Sequence, residues 1–289
     1  MHCLNKLSLA TLQAYRAQTF RTHPGRRLAS RDEAVAFVRE RGFIYFWPIT
    51  GILLPSLWVA AAGDRPVADA HDDPGHVTWG WKDSLLGSDA WYYAKVLRKK
   101  ATIIAPDLAP SFYALSENYG APDEDYLTQY EQGRMTLESR TVYETILDEG
   151  PLDTPALRRA TRMTSRESDG RFNKAITDLQ AEFRIVPVRV AQVGAWNYAF
   201  VYDAVHRVYP ELLEKARFIG EVDARLTLAE CYFRSLGAAQ LRDVNKLFGW
   251  KPAESAAVAE KLIQRKFLQG GVSLENQTGE WLALAALVA

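Results

Sequence analysis

Apolar residues recur at helical spacing through the second half of the chain, and turn residues divide them into short elements. Gly150 and Pro151 end a first helical stripe, and a cap at Asp153 or Thr154 opens the next one. The pattern predicts helices over 141–148, from about 154 to 160 and over 171–182, then strands over 183–190 and 196–202. Three short helices followed by a β-hairpin is the order of a winged helix–turn–helix unit.

The same order returns 87 residues later. It predicts helices over 228–235, 240–247 and 252–265, and a strand from Phe267 onward. The turn and core positions correspond as the pairs Gly150 and Gly237, Leu157 and Val244, Met163 and Trp250. Because one unit recurs at matched spacing, the sequence predicts tandem winged helices.

The N-terminal third opens with two helices and a strand. A helix is expected over 8–20, and Ser30 with Glu33 forms a capping box for a second helix that Gly42 ends. A strand follows over 43–47, which suggests a third unit of the same kind. The acidic stretch 123–125, between Pro122 and Gly133, is interpreted as a linker or loop.

These elements predict a mainly α protein with small β-wings, an α+β fold of tandem winged helix–turn–helix units. The domains are expected at 1–137 (N-terminal, helical and winged-helix-like), 138–210 (winged helix) and 211–289 (winged helix with a C-terminal element). The apolar segment 281–289 is expected to pack on the core as a final element.

Composition narrows the class of protein. The 289 residues carry 35 Lys and Arg against 35 Asp and Glu, which excludes a uniformly basic nucleic-acid binder. Two cysteines cannot form a disulfide framework, so a reducing, cytoplasmic location is expected, with nucleoid association if the protein binds DNA. The longest apolar run, 49–62, is too short to span a bilayer, and we expect no membrane interaction.

Charge is distributed unevenly along the chain. Residues 1–41 hold eight basic residues against three acids, whereas residues 117–149 hold nine acids against two arginines. Residues 156–174 return to six basic residues against two acids. This alternation fits either solvated helix faces or a basic surface that orients a polyanion.

The basic residues of the first winged-helix unit are the candidate phosphate ligands. They lie on its second helix and at the start of its third, as Arg158, Arg159, Arg162, Arg166, Arg171 and Lys174. A winged helix lays its third helix on the duplex. Many winged helices bind proteins instead, so the alternative is a non-catalytic regulator or interaction scaffold.

Three motifs carry a resemblance to a known family. Gly42-Phe-Ile-Tyr-Phe-Trp-Pro-Ile49, together with the winged-helix repeats, resembles the DNA glycosylases of the AlkZ/YcaQ type. Trp79-Gly-Trp-Lys-Asp83 and Trp91-Tyr-Tyr-Ala-Lys95 resemble its AlkZ-related subgroup. The resemblance covers about residues 5–275 and implies double-stranded DNA, alkylated or crosslinked, as partner. An enzyme of this kind would be a monofunctional glycosylase that hydrolyses N-glycosidic bonds.

The catalytic strand of that family carries Gln-x-Gln or Gln-x-Asp, whose polar side chains activate the attacking water. Here Tyr45 and Trp47 occupy those two positions, and neither offers a carboxylate or an amide. We interpret both as a base-contacting or former catalytic surface and take Asp83 as a candidate acid or base. The more conservative interpretation places these aromatics in the core and the aspartate at a solvated position.

No cofactor is expected, because glycine-rich phosphate loops and hydrolase or zinc-protease motifs are absent from the sequence. His71 and His76 flank Pro74 and Gly75, which is typical of a turn, so no metal site is expected either.

Overall fold

The chain adopts a mixed α+β fold in a computed structural model that describes residues 5–67, 72–118, 120–194 and 197–288. The α-helices are α1 Leu9–Thr19, α2 Arg31–Arg41, α3 Leu57–Ala62, α4 Val77–Ser84, α5 Ala109–Tyr113, α6 Pro122–Glu131, α7 Leu137–Glu149, α8 Thr154–Ala160, α9 Asp169–Ala181, α10 Val205–Val208, α11 Pro210–Ala216, α12 Glu221–Leu236, α13 Leu241–Phe248 and α14 Pro252–Gln264. The strands are β1 Lys6–Leu7, β2 Phe43–Tyr45, β3 Tyr92–Ala94, β4 Thr102–Ile104, β5 Leu152–Asp153, β6 Ile185–Ala191, β7 Ala199–Ala204, β8 Ala238–Ala239, β9 Leu268–Leu274 and β10 Trp281–Leu284.

Local capping signals fix several of the helices. The Ser30 hydroxyl accepts from the Glu33 amide at 3.2 Å, and the Glu33 carboxylate accepts from the Ala29 amide at 2.8 Å. The helix α2 ends at Gly42, whose φ of 79° lies in the left-handed region that glycine adopts without strain. The sequence therefore predicted both ends of this helix from side-chain and backbone chemistry.

The interpretation of residues 123–125 as a linker or loop is wrong. They form the first turn of α6, which begins at Pro122 and has Asp123, Glu124 and Asp125 in that turn. Proline is favoured at a first helical position, and acidic side chains there interact well with the helix dipole. Residues 122–125, which suggested a loop, therefore form the N-terminus of a helix.

Residues 137–204 form one topological unit. The chain runs through α7, β5, α8, α9 and the β6–β7 hairpin, and the sheet has the order β5-β7-β6 with both pairings antiparallel. The core beneath this sheet includes fully buried side chains from the three helices, among them Ile146, Leu157 and Phe172. The helices and hairpin predicted for this segment are present.

Residues 221–284 repeat that element order. Here α12, β8, α13 and α14 precede the strands β9 and β10, and β10 lies between β8 and β9, antiparallel to both. The short strand β1 adds to β9 in parallel, with Leu7 opposite Leu274. The C-terminal segment is a strand followed by a 3₁₀ turn, and its Ala283 is fully buried, as expected for an element packed on the core.

Contacts divide the chain into two compact units. Unit 1 comprises residues 1–79 and 222–289, and unit 2 comprises residues 80–221. Unit 2 spans the domain boundaries expected after residues 137 and 210, and those boundaries remain predictions. Among the described residues, no helix has both the length and the apolar character needed to cross a bilayer.

Candidate nucleic-acid interface

The strand that resembles the family's catalytic strand leads into a cluster of aromatic rings in unit 1. The strand β2 ends at Tyr45, whose amide donates to the Pro55 carbonyl at 2.9 Å. The Trp47 ring lies 5.1 Å from Trp58 and 5.8 Å from Trp79, and 4.6 Å from Phe46. We call Phe46, Trp47, Trp58 and Trp79 the aromatic cluster.

The aromatic side chains in and around this strand differ in how much of each ring a ligand could contact. Tyr45 is completely buried, so its ring belongs to the core and presents no face to a base in this conformation. Trp47 is half-buried, and Trp79 is 38% exposed. Any stacking surface of the cluster is therefore made by Trp47 and Trp79.

A paired carboxylate lies beside the aromatic cluster. Asp73 accepts from Arg65 at 2.6 Å and from the Gly75 amide at 2.7 Å, and the Arg65 guanidinium lies over the Trp58 ring. The hydrogen bond from Arg65 lowers the pKa of Asp73. Gly75 leaves no room for a side chain, because a Cβ there would come within 2.7 Å of the Trp58 ring. This part of the aromatic cluster is therefore closely packed, and the Asp73 carboxylate is already hydrogen-bonded within the protein.

Asp83 lies in unit 2, in contact with a buried lysine. Its carboxylate is 2.8 Å from the Lys82 ammonium and accepts from the Tyr198 hydroxyl at 2.9 Å. Lys82 is 1% exposed and its ammonium faces the rings of Tyr93 and Phe200 at 5.3 and 4.7 Å. Burial lowers the pKa of Lys82, and the hydrogen bond and charge of Asp83 oppose that shift.

This arrangement gives Asp83 a structural partner. A buried ammonium is destabilising unless a carboxylate lies nearby, and Asp83 supplies that carboxylate to Lys82. Because the Asp83 side chain is 25% exposed, it also contacts solvent. Tyr198 joins the pair, and burial raises its pKa, so the phenol stays protonated and donates. The sequence did not indicate this partner, because Tyr198 lies 115 residues away.

The predicted phosphate ligands occupy α8, the following turn and the start of α9. Arg158 is held within the protein: its guanidinium lies 2.6 Å from Asp169 and 4.3 Å from the Phe172 ring centre. Arg171 is 66% exposed and pairs with Glu138 at 3.0 Å. Lys174 is also exposed and pairs with Asp178. These three side chains have acidic partners.

Arg159, Arg162 and Arg166 are different. All three are exposed, and within the described part of the chain none has a carboxylate within 4.0 Å. Arg162 has a φ of 57°, in the turn that ends α8, and Arg166 lies in a 3₁₀ turn capped by Ser165. We call Arg159, Arg162 and Arg166 the arginine row.

A second group of cations, which are not among the predicted site residues, lies beside α9. Lys95, Arg98, Lys99 and Lys100 are exposed. Lys95 donates to the Thr177 hydroxyl at 3.3 Å, and Lys99 is 2.5 Å from Asp178. The signal was available, because residues 98–100 read Arg-Lys-Lys.

Asp178 organises part of this surface. Burial alone would raise the pKa of its carboxyl, but hydrogen bonds from Lys174 and Lys99 hold that pKa below its usual value. The anchored ammonium groups present their remaining donors to solvent. Two basic side chains, one on helix α9 and one on its neighbouring segment, are thereby oriented, which suits contact with a polyanion.

The described residues contain no group of three or more His, Cys, Asp and Glu side chains that could hold a metal ion. His71, one of the two histidines considered for such a site, lies outside the described residues. His76 instead lies against the Trp58 ring, with 5.4 Å between ring centres.

Comparisons with known proteins place the chain in a family. The model of the family described as AlkZ related matches residues 28–249. The fold is similar to that of Streptomyces sahachiroi DNA glycosylase AlkZ, with a TM-score of 0.60 and 13% sequence identity over 97% of this chain and 71% of that one. No curated protein matches the chain. The family match spans most of the sequence, and the chain belongs to the AlkZ-related family.

Proposed function

We propose that this protein binds duplex DNA and acts on, or senses, alkylated or crosslinked bases. The observation that carries the proposal is the arginine row, three exposed guanidinium groups within eight consecutive residues and without acidic partners among the described residues. A local cluster of unpaired arginines suits phosphate binding. Membership of the AlkZ-related family and the likeness of fold to a DNA glycosylase support the same assignment.

In this proposal residues 138–210 and 211–289 are tandem winged helices that follow an N-terminal domain of residues 1–137. The helix α9 would lie on the duplex, and the β6–β7 hairpin would be the wing. Arg171 and Lys174 then approach the DNA from α9, and the arginine row contacts phosphates beside it. The recurrence of one element order in 137–204 and 221–284 supports this interpretation.

The triple variant Arg159→Gln, Arg162→Gln, Arg166→Gln tests the interface. Each phosphate contact contributes about 0.9 to the slope of log affinity against log salt, so the slope should fall by about 2–3. Duplex binding followed by fluorescence anisotropy over a salt series measures this change.

The matched control removes three arginines of unit 1 that are also exposed and have no carboxylate partner among the described residues. These are Arg26, Arg39 and Arg242, each changed to Gln. The control has the same net charge as the test variant and should keep the parent slope. Equal losses in both variants would contradict the assignment to the arginine row, and absence of duplex binding at low salt would overturn the proposal.

Incubation with a duplex that contains N7-alkylguanine separates action from sensing. Release of free base with formation of abasic sites identifies a monofunctional glycosylase, and Asp83→Asn and Trp47→Phe then test the predicted catalytic residues. Tighter binding of the damaged duplex without base release identifies a sensor. The aromatic residues Tyr45 and Trp47 at the two polar positions of the catalytic strand favour this second result.

The alternative function is a non-catalytic winged-helix regulator or interaction scaffold. Equal affinity for damaged and undamaged duplex, with no base release, would establish that alternative. A scaffold that binds proteins would show no salt-dependent binding of DNA at all.

A further inference from the structure

Two sequence motifs that the proposed function leaves without a binding role lie against the β6–β7 hairpin of unit 2. Lys82 and Asp83 of the first motif lie on α4, and Tyr93 of the second lies in β3. The Lys82 ammonium is 4.7 Å from the centre of the Phe200 ring of β7, and the Tyr93 ring centre is 6.1 Å from that of Phe200. Both motifs therefore contact one hairpin.

Hydrogen bonds fix the turn end of this hairpin. Tyr198 comes directly before β7, and its hydroxyl is 2.8 Å from the Lys82 ammonium and 2.9 Å from the Asp83 carboxylate. The lysine donates to the phenol oxygen and the phenol donates to the carboxylate. Because Lys82 is only 1% exposed, these bonds lie away from bulk water, where they are stronger.

A second contact fixes strand β6 of the same hairpin. The loop that follows α4 lies against Val188 at Gly87, which has a φ of 69°. A Cβ at Gly87 would come within 3.0 Å of the Val188 carbonyl oxygen, so glycine allows the loop and the strand to approach this closely. We call Lys82, Asp83, Gly87 and Tyr198 the hairpin clamp.

The strand held by the hairpin clamp carries an exposed arginine. Arg189 lies opposite Val201, two residues before β6 ends at Ala191. Among the described residues it forms none of the ion pairs that hold Arg158 and Arg171. An exposed guanidinium without an acidic partner keeps its donors and its charge available for a phosphate.

We infer that Arg189 is a phosphate ligand on the β6–β7 hairpin and that the hairpin clamp positions it. The inference rests on the proposed function, because it assigns a DNA contact to the hairpin of a DNA-binding unit. Lys82, Asp83 and Tyr198 are positioning residues: they hold the hairpin and do not touch the DNA, which gives Asp83 a role other than that of an acid or base. A strand that is already held in place loses less conformational entropy on binding, so the contact made by Arg189 contributes more to affinity.

The salt dependence of duplex binding tests Arg189 as a ligand. Arg189→Gln should lower the slope of log affinity against log salt by about 0.9, which corresponds to about an eightfold loss of affinity at about 0.1 M salt. Fluorescence anisotropy with the full chain and an undamaged duplex measures both quantities. A slope equal to that of the parent would overturn the inference.

An uncharged substitution tests the positioning. Tyr198→Phe keeps the ring, removes the hydroxyl that hydrogen-bonds to Lys82 and Asp83, and changes no charge, so a merely structural role would leave the salt slope at the parent value. If the hairpin clamp positions Arg189, the slope should fall by about 0.9 in this variant as well. In Tyr198→Phe protein, adding Arg189→Gln should then cost less than about twofold in affinity. Additive losses, or a parent slope for Tyr198→Phe, would contradict the role of the clamp.

The matched control is Tyr126→Phe. It removes another buried phenol hydroxyl of unit 2 that is hydrogen-bonded to a carboxylate, that of Glu144 at 3.2 Å, and it should keep the parent slope. Hydrogen exchange of Tyr198→Phe is the independent readout: amides of β6 and β7 should lose protection, whereas those of α7 and α9 should keep it. Loss of protection throughout unit 2 would show a general loss of stability, which is the opposite of local positioning.

Failure of this inference and failure of the proposed function give different results. Duplex binding whose salt slope falls in the arginine-row variant but not in Arg189→Gln overturns the role of Arg189 alone. Absence of duplex binding by the parent at low salt overturns the proposed function and the phosphate role of Arg189 with it.

Discussion

At the scale of single residues, the Glu182 carboxyl makes the free energy of unfolding depend on pH. Burial raises the pKa of this carboxyl to about 7, although the nearby Arg184 opposes the shift. A raised pKa means that its contribution to stability is complete below about 4.5 and is lost as the pH rises through about 7. Glu182→Gln should therefore raise the free energy of unfolding by about 1–3 kcal/mol in mildly alkaline buffer and by little near the acid limit.

Urea unfolding at several pH values measures this difference between Glu182→Gln and the parent. The control is Glu131→Gln, at an exposed position of α6, which should follow the parent at every pH. A gain that is the same at all pH values would assign the effect to packing instead of titration.

The pair of Lys82 and Asp83 belongs to the same scale. Asp83→Asn leaves the buried Lys82 ammonium without its carboxylate, so unfolding should become easier by about 2–4 kcal/mol. The double variant Lys82→Met, Asp83→Asn removes the stranded charge and should regain part of that loss. Urea unfolding of both variants checks the coupling, and equal stability of the single and double variants would contradict it.

At the scale of elements, the cap of α2 is a local feature with a local cost. Ser30→Ala removes the oxygen that accepts from the Glu33 amide, so stability should fall by about 1 kcal/mol and Tm by about 2–4 °C. Ser30→Thr keeps an oxygen at the same place and should stay close to the parent. Thermal unfolding compares the two, and similar losses in both would show that side-chain packing, not capping, is responsible.

Elements that depend on such local signals could be predicted from the sequence. The helices α2, α8 and α9 were predicted to within a few residues of their observed bounds, because caps and apolar spacing act within one or two turns. The acidic start of α6 was misread because composition was weighed above the position of Pro122. The strand β1 was beyond prediction, since it pairs with β9 across more than 260 residues.

The same distinction applies to the candidate site. The residues of the arginine row were identified from the sequence as candidate phosphate ligands, because they lie within eight positions around the end of one helix. Their contact with phosphate stays a prediction. The burial of Tyr45 agrees with the more conservative interpretation of that strand. The burial of Lys82 was not predicted, because its partner Tyr198 is distant in sequence. The pattern of charges along a chain predicts which segments are exposed, whereas the burial of a distant pair can be identified only from the tertiary structure.

At the scale of the whole molecule, buried tyrosines set the alkaline limit of stability. Among the described residues, burial raises the pKa of ten phenols, those of Tyr15, Tyr92, Tyr93, Tyr113, Tyr126, Tyr143, Tyr198, Tyr202, Tyr209 and Tyr232. Their contribution is complete below about pH 10, the pKa of an unfolded tyrosine, and is lost as the pH rises through the raised values. Each such phenol can lower the free energy of unfolding by up to about 1.4 kcal/mol per pH unit in that range.

Lys82 and Lys95 act in the opposite direction, because their lowered pKa values make the folded state more favourable as the pH approaches 10.5. Two lysines cannot offset ten tyrosines, so we expect urea stability to be nearly constant up to about pH 10 and to fall steeply above it. Phenolate absorbance at high pH supplies the independent check, since these side chains should ionise only as the chain unfolds. Complete and reversible ionisation near pH 10 in a chain that stays folded would show that solvent reaches the phenols, and would contradict the burial of these side chains in the fold.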